Sequence, residues 1–374
     1  MDLIEPTLSI SLLMHALFMA SSRQVHEQFT FNLLTNLLDL LCFLSDTLIF
    51  FLDFTLFKPF FSVFSRLHSV FIVSHCVSFV LLQRRLCYVR SKCYCCMFQI
   101  KNHGVPEETI KQMMNVGREF FHQSESERVK HYSADTKKTT RLSTSFNVSK
   151  EKVSNWRDFL RLHCYPIEDF INEWPSTPVS FREVTAEYAT SVRALVLTLL
   201  EAISESLGLV KDRVSNTLGK HGQHMAINYY PPCPQPELTY GLPGHKDANL
   251  ITVLLQDEVS GLQVFKDGKW IAVNPVPNTF IVNLGDQMQV ISNDKYKSVL
   301  HRAVVNIDKE RISIPTFYCP SEDAMIGPTQ ELINEEEDSP AIYRNFTYAE
   351  YFEKFWDTAF ATESCIDSFK AFTA

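Results

Sequence analysis

An α+β chain built on a double-stranded β-helix, or jelly-roll, core with flanking helices is the fold class this sequence predicts. Three observations carry it. Residues 225–318 break into seven short β-rich runs (225–230, 250–255, 262–265, 270–273, 279–284, 299–305 and 312–318) separated by turn residues, the spacing of two packed sheets. Upstream, residues 106–122 and 181–207 carry apolar side chains at helical period. Finally, the first 97 residues are unlike the rest: no Gly and no Trp, but 13 of the 29 Phe and six of the ten Cys.

That N-terminal segment, 1–97, is atypical as a globular sequence. Residues 31–57 are apolar but interrupted by Asp39, Asp46 and Asp53, each costly in a bilayer centre. Residues 67–83 form a 17-residue run without Asp, Glu, Lys or Arg, at the short limit for a membrane span and followed by Arg84, Arg85, Arg90 and Lys92. The Met1 end lacks the basic region and cleavage site of a signal peptide. Three readings stand side by side: a membrane anchor, an unusual folded extension, or translated non-coding sequence outside the native fold.

Orderly signals begin at Phe98. Residues 97–100 read as a short strand and Asn102-His103-Gly104 as a turn. Pro106 then opens a helix whose first turn holds Glu107 and Glu108, favourable for the helix dipole, with Ile110, Met113, Met114, Phe120 and Phe121 as its apolar stripe. Residues 123–155 are polar and predict a long loop. A strand follows between Asn155 and Pro166, then the long helix, whose buried face (Val184, Tyr188, Val192, Leu195, Leu199, Ile203) predicts packing rather than chemistry.

In the β-rich part, Asp267-Gly268 is a hairpin signal, and Pro231, Pro232, Pro234 and Pro236 end the first run. Near the end, Thr347 and Glu350 form a capping box before a helix with an aromatic face of Tyr348, Tyr351, Phe352, Phe355 and Trp356. The expected division is 1–97 as the unmatched segment, 98–215 as a helical part, 216–320 as the jelly-roll core, and 321–374 as a C-terminal segment with a capping helix.

Composition narrows the function. Net charge is −8, and no basic stripe or aromatic-interleaved patch points to nucleic acid. Beyond residue 97 the four cysteines, Cys164, Cys233, Cys319 and Cys365, include no Cys-x-x-Cys pair. They predict neither a disulfide framework nor a zinc site, and fit a reducing, cytoplasmic compartment.

The chemistry-bearing stretch runs from Asn228 to Ser313. His245 and Asp247 stand two apart in Gly244-His245-Lys246-Asp247, so a strand would point both to one face, and His301 follows 56 residues after His245. Two imidazoles and a carboxylate are the set that holds a non-haem Fe(II) on one face of an octahedron. A lone His-x-Asp is also what a surface turn with a satisfied histidine looks like; the ordered set with Arg311-Ile312-Ser313 behind it favours the metal. Arg311 and Ser313 share a strand face, and a guanidinium fork beside a hydroxyl suits a carboxylate.

Several motifs together resemble the plant 2-oxoglutarate- and Fe(II)-dependent oxygenases from about Phe98 to Trp356. They are Asn102-His103-Gly104-Val105, Asn228-Tyr229-Tyr230-Pro231-Pro232-Cys233-Pro234, Gly244-His245-Lys246-Asp247, Gly261-Leu262-Gln263-Val264, Asn283-Leu284-Gly285-Asp286, Leu300-His301-Arg302 and Arg311-Ile312-Ser313. Residues 139–147 and 155–166 resemble the downy mildew resistance-type oxygenases within that family. The resemblance implies His245, Asp247 and His301 as iron ligands, and Arg311 and Ser313 as holders of the distal carboxylate of 2-oxoglutarate. Asn228 and Tyr230 would line the same pocket. It implies a 2-oxoglutarate-dependent dioxygenase with Fe(II), 2-oxoglutarate as co-substrate and ascorbate in support. Dioxygen and a small aromatic acid would be its substrates. Salicylate hydroxylation at C3 or C5, in salicylate catabolism and plant defence, is the implied reaction; flavone synthesis or gibberellin oxidation are the alternatives.

Two departures stand out: Lys246, where a small Thr is commoner, and the lack of a Pro-x-Ile-Asp-Leu strand upstream, whose loss should leave a sheet edge open. For an aromatic acid, Arg141, Arg161 and His163 are candidate cations and Phe146 and Phe317 candidate walls. Each is equally readable as a structural pair or as core. From other classes, an inactive jelly-roll binding protein and a membrane-anchored protein remain as readings. Oligomeric state is not encoded in these signals.

Overall fold

The computed structural model describes residues 70–73, 78–82, 85–86, 97–144, 155–334, 339–357 and 365–371, the first three groups as backbone only. Strands β1 (Val70–Val73), β2 (Ser78–Leu82) and β3 (Arg85–Leu86) pair antiparallel in sequence order. β1 also lies against β4 (Met97–Ile100), with Ile72 opposite Ile100. Two expectations change here. The run 67–83 carries two strands, in keeping with its β-branched and aromatic text, and among the described residues no helix is long and apolar enough to cross a membrane. The edge beyond β4, expected to be open, is occupied by β1.

Helix α1 (Glu107–Phe121) starts after extended Pro106 and buries Ile110, Met113, Val116, Phe120 and Phe121. At Gly117 a Cβ would stand 3.1 Å from Ile227 Cγ2, so this helix lies close on the sheet. The predicted loop 123–155 contains a strand, β5 (Thr140–Ser143), concealed in polar text because its partner is β6 (Asp158–His163) rather than an adjacent run. Helix α2 (Phe181–Ser206) follows, with Tyr188, Val192, Val196 and Leu200 buried.

The β-rich part forms β7 (Gly222–Tyr230), β8 (Leu242–His245), β9 (Ile251–Gln256), β10 (Leu262–Lys266), β11 (Lys269–Ala272) and β12 (Phe280–Leu284). Helix α3 (Asp286–Ile291), β13 (His301–Ala303), β14 (Arg311–Cys319), β15 (Met325–Ile326), β16 (Phe346–Thr347) and α4 (Tyr348–Asp357) complete it. The Asp267-Gly268 hairpin forms as predicted, with φ of 50° and 77° and Lys266 opposite Lys269. Before α4, the Glu350 N–H donates to Thr347 Oγ1 at 3.2 Å, but the Glu350 carboxylate pairs with Arg344 instead of closing the box.

One sheet runs β3-β2-β1-β4-β12-β9-β14-β7-β6-β5 and the other β11-β10-β13-β8. Period-2 alternation divides the large sheet sharply. Leu160, Leu162, Met225, Ile227, Ile312 and Ile314 are fully buried on the helix-packed face, each contributing about 1.5–3 kcal/mol by leaving water. Gln223 on that face donates to the Ala189 carbonyl of α2 at 2.9 Å. The alternate residues (Phe159, Arg161, His163, His224, Asn228, Arg311, Ser313, Phe317) take the opposite face, and they carry the candidate site.

Candidate active site

β8 ends on His245 and β13 begins on His301, and the two stand opposite each other in register with ring centroids 4.3 Å apart. Each ring turns its Nδ1 to the carbonyl two residues upstream: Pro243 at 2.9 Å for His245, Val299 at 3.0 Å for His301. With Nδ1–H donating there, Nε2 keeps its lone pair for the space between the strands. Both Nε2 atoms lie 3.8 Å from Asp247 Oδ1, and the three groups can hold one metal ion, their ligand atoms lying within 4.8 Å of one another. Burial and the second imidazole hold His245 far below its ordinary pKa, in the neutral form a ligand needs.

Asp247 does not share a strand with His245, as its spacing predicted. β8 stops at His245, and the carboxylate comes from the loop after it. That loop is gripped by the turn between β12 and α3. Asp286 N–H donates to Asp247 O at 2.8 Å, Gly285 N–H to Leu250 O at 2.9 Å and Gln287 N–H to Asn249 O at 3.2 Å, while Gln287 Nε2 reaches Ala248 O at 2.9 Å. A Cβ on Gly285 would sit 2.1 Å from Asn249 O, so only glycine permits this approach. The Asn283-Leu284-Gly285-Asp286 motif thus has a local cause. The other carboxylate oxygen, Asp247 Oδ2, accepts from Thr252 Oγ1 at 2.8 Å.

Across the gap, on the large sheet, Arg311 stands opposite Tyr230 and Ser313 opposite Asn228. The Arg311 guanidinium lies 5.1 Å over the Tyr230 ring, donates from Nε to Val259 O and from Nη2 to Gln256 Oε1, each at 3.1 Å, and is 3% exposed. Its Nη1 and the neighbouring Gln256 Nε2 are buried with no hydrogen-bond partner among the described residues. Two orphaned donors side by side fit an anionic oxygen pair, because a buried N–H left unpaired costs about 1–3 kcal/mol.

The candidate substrate residues divide. Phe317, His224 and His163 form one cross-strand row, stacked at 4.9 and 5.7 Å, and Thr252 stands opposite Phe317 on the other side. The row therefore ends at the hydroxyl that holds Asp247. Burial, with Arg161 adding to it, pushes His163 down to about 4, so it is a neutral ring and not the cation expected of it. His224, held well below its ordinary pKa by burial, was not anticipated; counting back by twos from Asn228 would have found it.

Arg141 is fully buried, donating to Ser133 O at 2.9 Å and Ser143 Oγ at 3.1 Å. Arg161 Nη2 donates to the carbonyls of Thr136 and Lys138, and burial with the Arg141 charge lowers its pKa to about 10. Phe146 lies outside the described residues. Also unanticipated is Arg157, 3% exposed, whose Nη1 donates to Asn228 Oδ1 at 3.3 Å.

A His–Asp–His cluster between the two sheets of a jelly roll, facing a buried arginine, defines a non-haem iron oxygenase. Residues 221–320 match the 2OG-Fe(II) oxygenase superfamily, and residues 94–177 match the family described as non-haem dioxygenase in morphine synthesis N-terminal. The chain is 94% identical over 280 residues, 75% of its length and 80% of the relative's, to Protein DMR6-LIKE OXYGENASE 2 of Arabidopsis thaliana. It is 56% identical over 274 residues, 73% of its length and 80% of the relative's, to Flavanone 3-dioxygenase 2 of Oryza sativa subsp. japonica. Among solved structures it resembles JOX2 in complex with 2OG, Fe and JA, with TM-score 0.67 and 37% identity, over 74% of this chain and 82% of that one. The chain belongs to the 2OG-Fe(II) oxygenase superfamily. Within it, it is a plant dioxygenase of the DMR6 type, an oxidoreductase that uses iron and 2-oxoglutarate.

Proposed function

We propose that this enzyme hydroxylates a small aromatic acid, salicylate at C3 or C5, while 2-oxoglutarate is decarboxylated to succinate and CO2. In this reading His245, Asp247 and His301 hold the ferrous ion. Arg311 and Ser313 clamp the distal carboxylate of 2-oxoglutarate, and Asn228 and Tyr230 line its pocket. Bound iron, with 2-oxoglutarate and dioxygen, supplies the oxidant: one oxygen atom enters succinate and the other the ring C–H. The chain's own residues fix the geometry. The carbonyls of Pro243 and Val299 orient the two imidazoles, and Thr252 orients the carboxylate. The orphaned Nη1 of Arg311 pairs with the co-substrate, and Phe317 and His224 keep water from the reacting ring.

The observation that carries the aromatic-acid reading is the composition of one sheet face. From Thr252, which holds Asp247, the stacked rings of Phe317, His224 and His163 run across β14, β7 and β6, with Arg161 and Arg311 on the same face, so aromatic surface and positive charge occur together. We read 98–215 as the helical part, 216–320 as the core that bears the site and 321–374 as its C-terminal cover. The four described cysteines beyond residue 97, all free and buried, support a cytoplasmic setting.

Flavanone oxidation is the second reading, favoured by the 56% identity to the rice flavanone dioxygenase. The deciding experiment is a panel of salicylate, flavanones and gibberellins with Fe(II), ascorbate and 2-oxoglutarate, scored by product mass. Hydroxylated salicylate is the expected product. Turnover of flavanones without salicylate would replace the first reading by the second.

A further inference from the structure

Arg311 is seated by the loop that follows β9, and one carboxylate shapes that loop. Asp257, the first residue after β9, has a side chain only 7% exposed, so its charge must be met by donors. Its Oδ2 accepts the Ile312 N–H at 2.6 Å and its Oδ1 the Val259 N–H at 3.0 Å, while the Asp257 N–H donates to Ile312 O at 3.1 Å. The carboxylate thus ties the loop to β14, one residue beyond Arg311. Val259, fixed in this way, turns its carbonyl to Arg311 Nε at 3.1 Å. On the site face the preceding residue, Gln256, accepts from Arg311 Nη2. On the helix side Arg118 Nη2 stands 3.9 Å from Asp257 Oδ2, a positive charge beside the buried anion.

We propose that Asp257 is a positioning residue for co-substrate binding: it sets the Val259 carbonyl that aims the Arg311 guanidinium at the distal carboxylate of 2-oxoglutarate. This rests on the reading of Arg311 given above. A guanidinium is a rigid planar fork, so anchoring Nε and Nη2 also fixes where Nη1 points, and Nη1 is the donor left for the ligand. The Nε anchor lies in a loop between β9 and β10. At its far end Gly261 O accepts the Val304 N–H at 2.8 Å; at its near end the Asp257 carboxylate does the holding. Bonds to an ionised acceptor are roughly twice as strong as neutral ones. Asparagine at this position would keep one acceptor and turn an amide N–H toward the other backbone donor, freeing the loop. His245, Asp247 and His301 take their hydrogen bonds from other residues, so the effect is confined to the arginine side of the site.

The test is calorimetric binding to anaerobic, Fe(II)-loaded enzyme of two ligands: 2-oxoglutarate, and oxalate, which chelates the ion but has no distal carboxylate. Wild type is compared with Asp257→Asn, Arg311→Gln and the double variant. Asp257→Asn is expected to weaken 2-oxoglutarate about 10-fold and to leave oxalate unchanged. In the Arg311→Gln background the same substitution should have no further effect, because its influence passes through the arginine. Unchanged 2-oxoglutarate binding by Asp257→Asn, equal weakening of both ligands, or additive effects in the double variant overturns the assignment. If Asp257→Asn does not fold, Asp257→Ser, whose hydroxyl accepts one of the two N–H groups, carries the same comparison, and the same three results overturn it. Wild-type binding of 2-oxoglutarate by Arg311→Gln is a distinct failure: it overturns the reading of Arg311 itself, and this assignment with it.

Discussion

The Thr252 hydroxyl donates to Asp247 Oδ2 at 2.8 Å and accepts from Asn249 Nδ2 at 3.0 Å. This short relay joins the large sheet to the carboxylate that faces both imidazoles, leaving Oδ1 directed at them. Replacing Thr252 by Val keeps the shape and removes the donor. The Fe(II) concentration for half-maximal succinate formation should rise about 10- to 100-fold, the usual cost of losing an outer partner of a metal ligand. An unchanged iron titration would show that Asp247 needs no such support.

Gly261 packs against the arginine across from it. A Cβ there would stand 2.7 Å from Arg311 Cδ and 2.9 Å from the Val304 carbonyl. Gly261→Ala should therefore push the guanidinium off its position and raise the 2-oxoglutarate KM about 10-fold or more, with the iron titration unaltered. Steady-state kinetics at saturating iron measures it.

Gly285→Ala is predicted to be more severe. The added methyl meets backbone rather than a movable side chain, the Asn249 carbonyl at 2.1 Å, and would pry apart the grip on the Asp247 loop. A loss of stability of at least about 1–3 kcal/mol, the range for overpacking, should accompany loss of iron binding. Denaturant titration and metal analysis of the variant check both halves.

Acid sensitivity follows from His163, held near pKa 4 in the fold against an ordinary value of 6.5. The unfolded chain takes up a proton that the folded chain refuses, so stability rises with pH across this interval. The contribution is complete above about 6.5 and is lost as pH falls toward about 4. His224, also lowered by burial, acts in the same sense. Urea midpoints of the metal-free protein should fall less steeply over this window in His163→Gln than in wild type.

What the sequence made legible was residue identity within local motifs. His245, Asp247, His301, Arg311 and Ser313 stand in short strings whose order along the chain points to one site, and the jelly-roll runs were visible because turns punctuate them. What stayed hidden depends on partners distant in sequence. Strand β8 reads as a turn because Leu242-Pro243-Gly244 carries Pro and Gly; pairing with β13 makes it a strand. The placement of Asp247 is dictated by residues 285–287, and β5 exists because β6 lies beside it. The closure of the β4 edge by β1 came from text with no globular signature. His224 and Arg157 fall on the site face by simple alternation from Asn228 and Phe159, a signal present in the sequence itself.

Iron stoichiometry, measured anaerobically by metal analysis after desalting, tests the shared His245–Asp247–His301 site most directly. Wild type should retain one Fe(II) per chain, and His301→Ala essentially none, with the same circular dichroism spectrum. Full iron retention by His301→Ala would contradict a shared ion held by His245, Asp247 and His301.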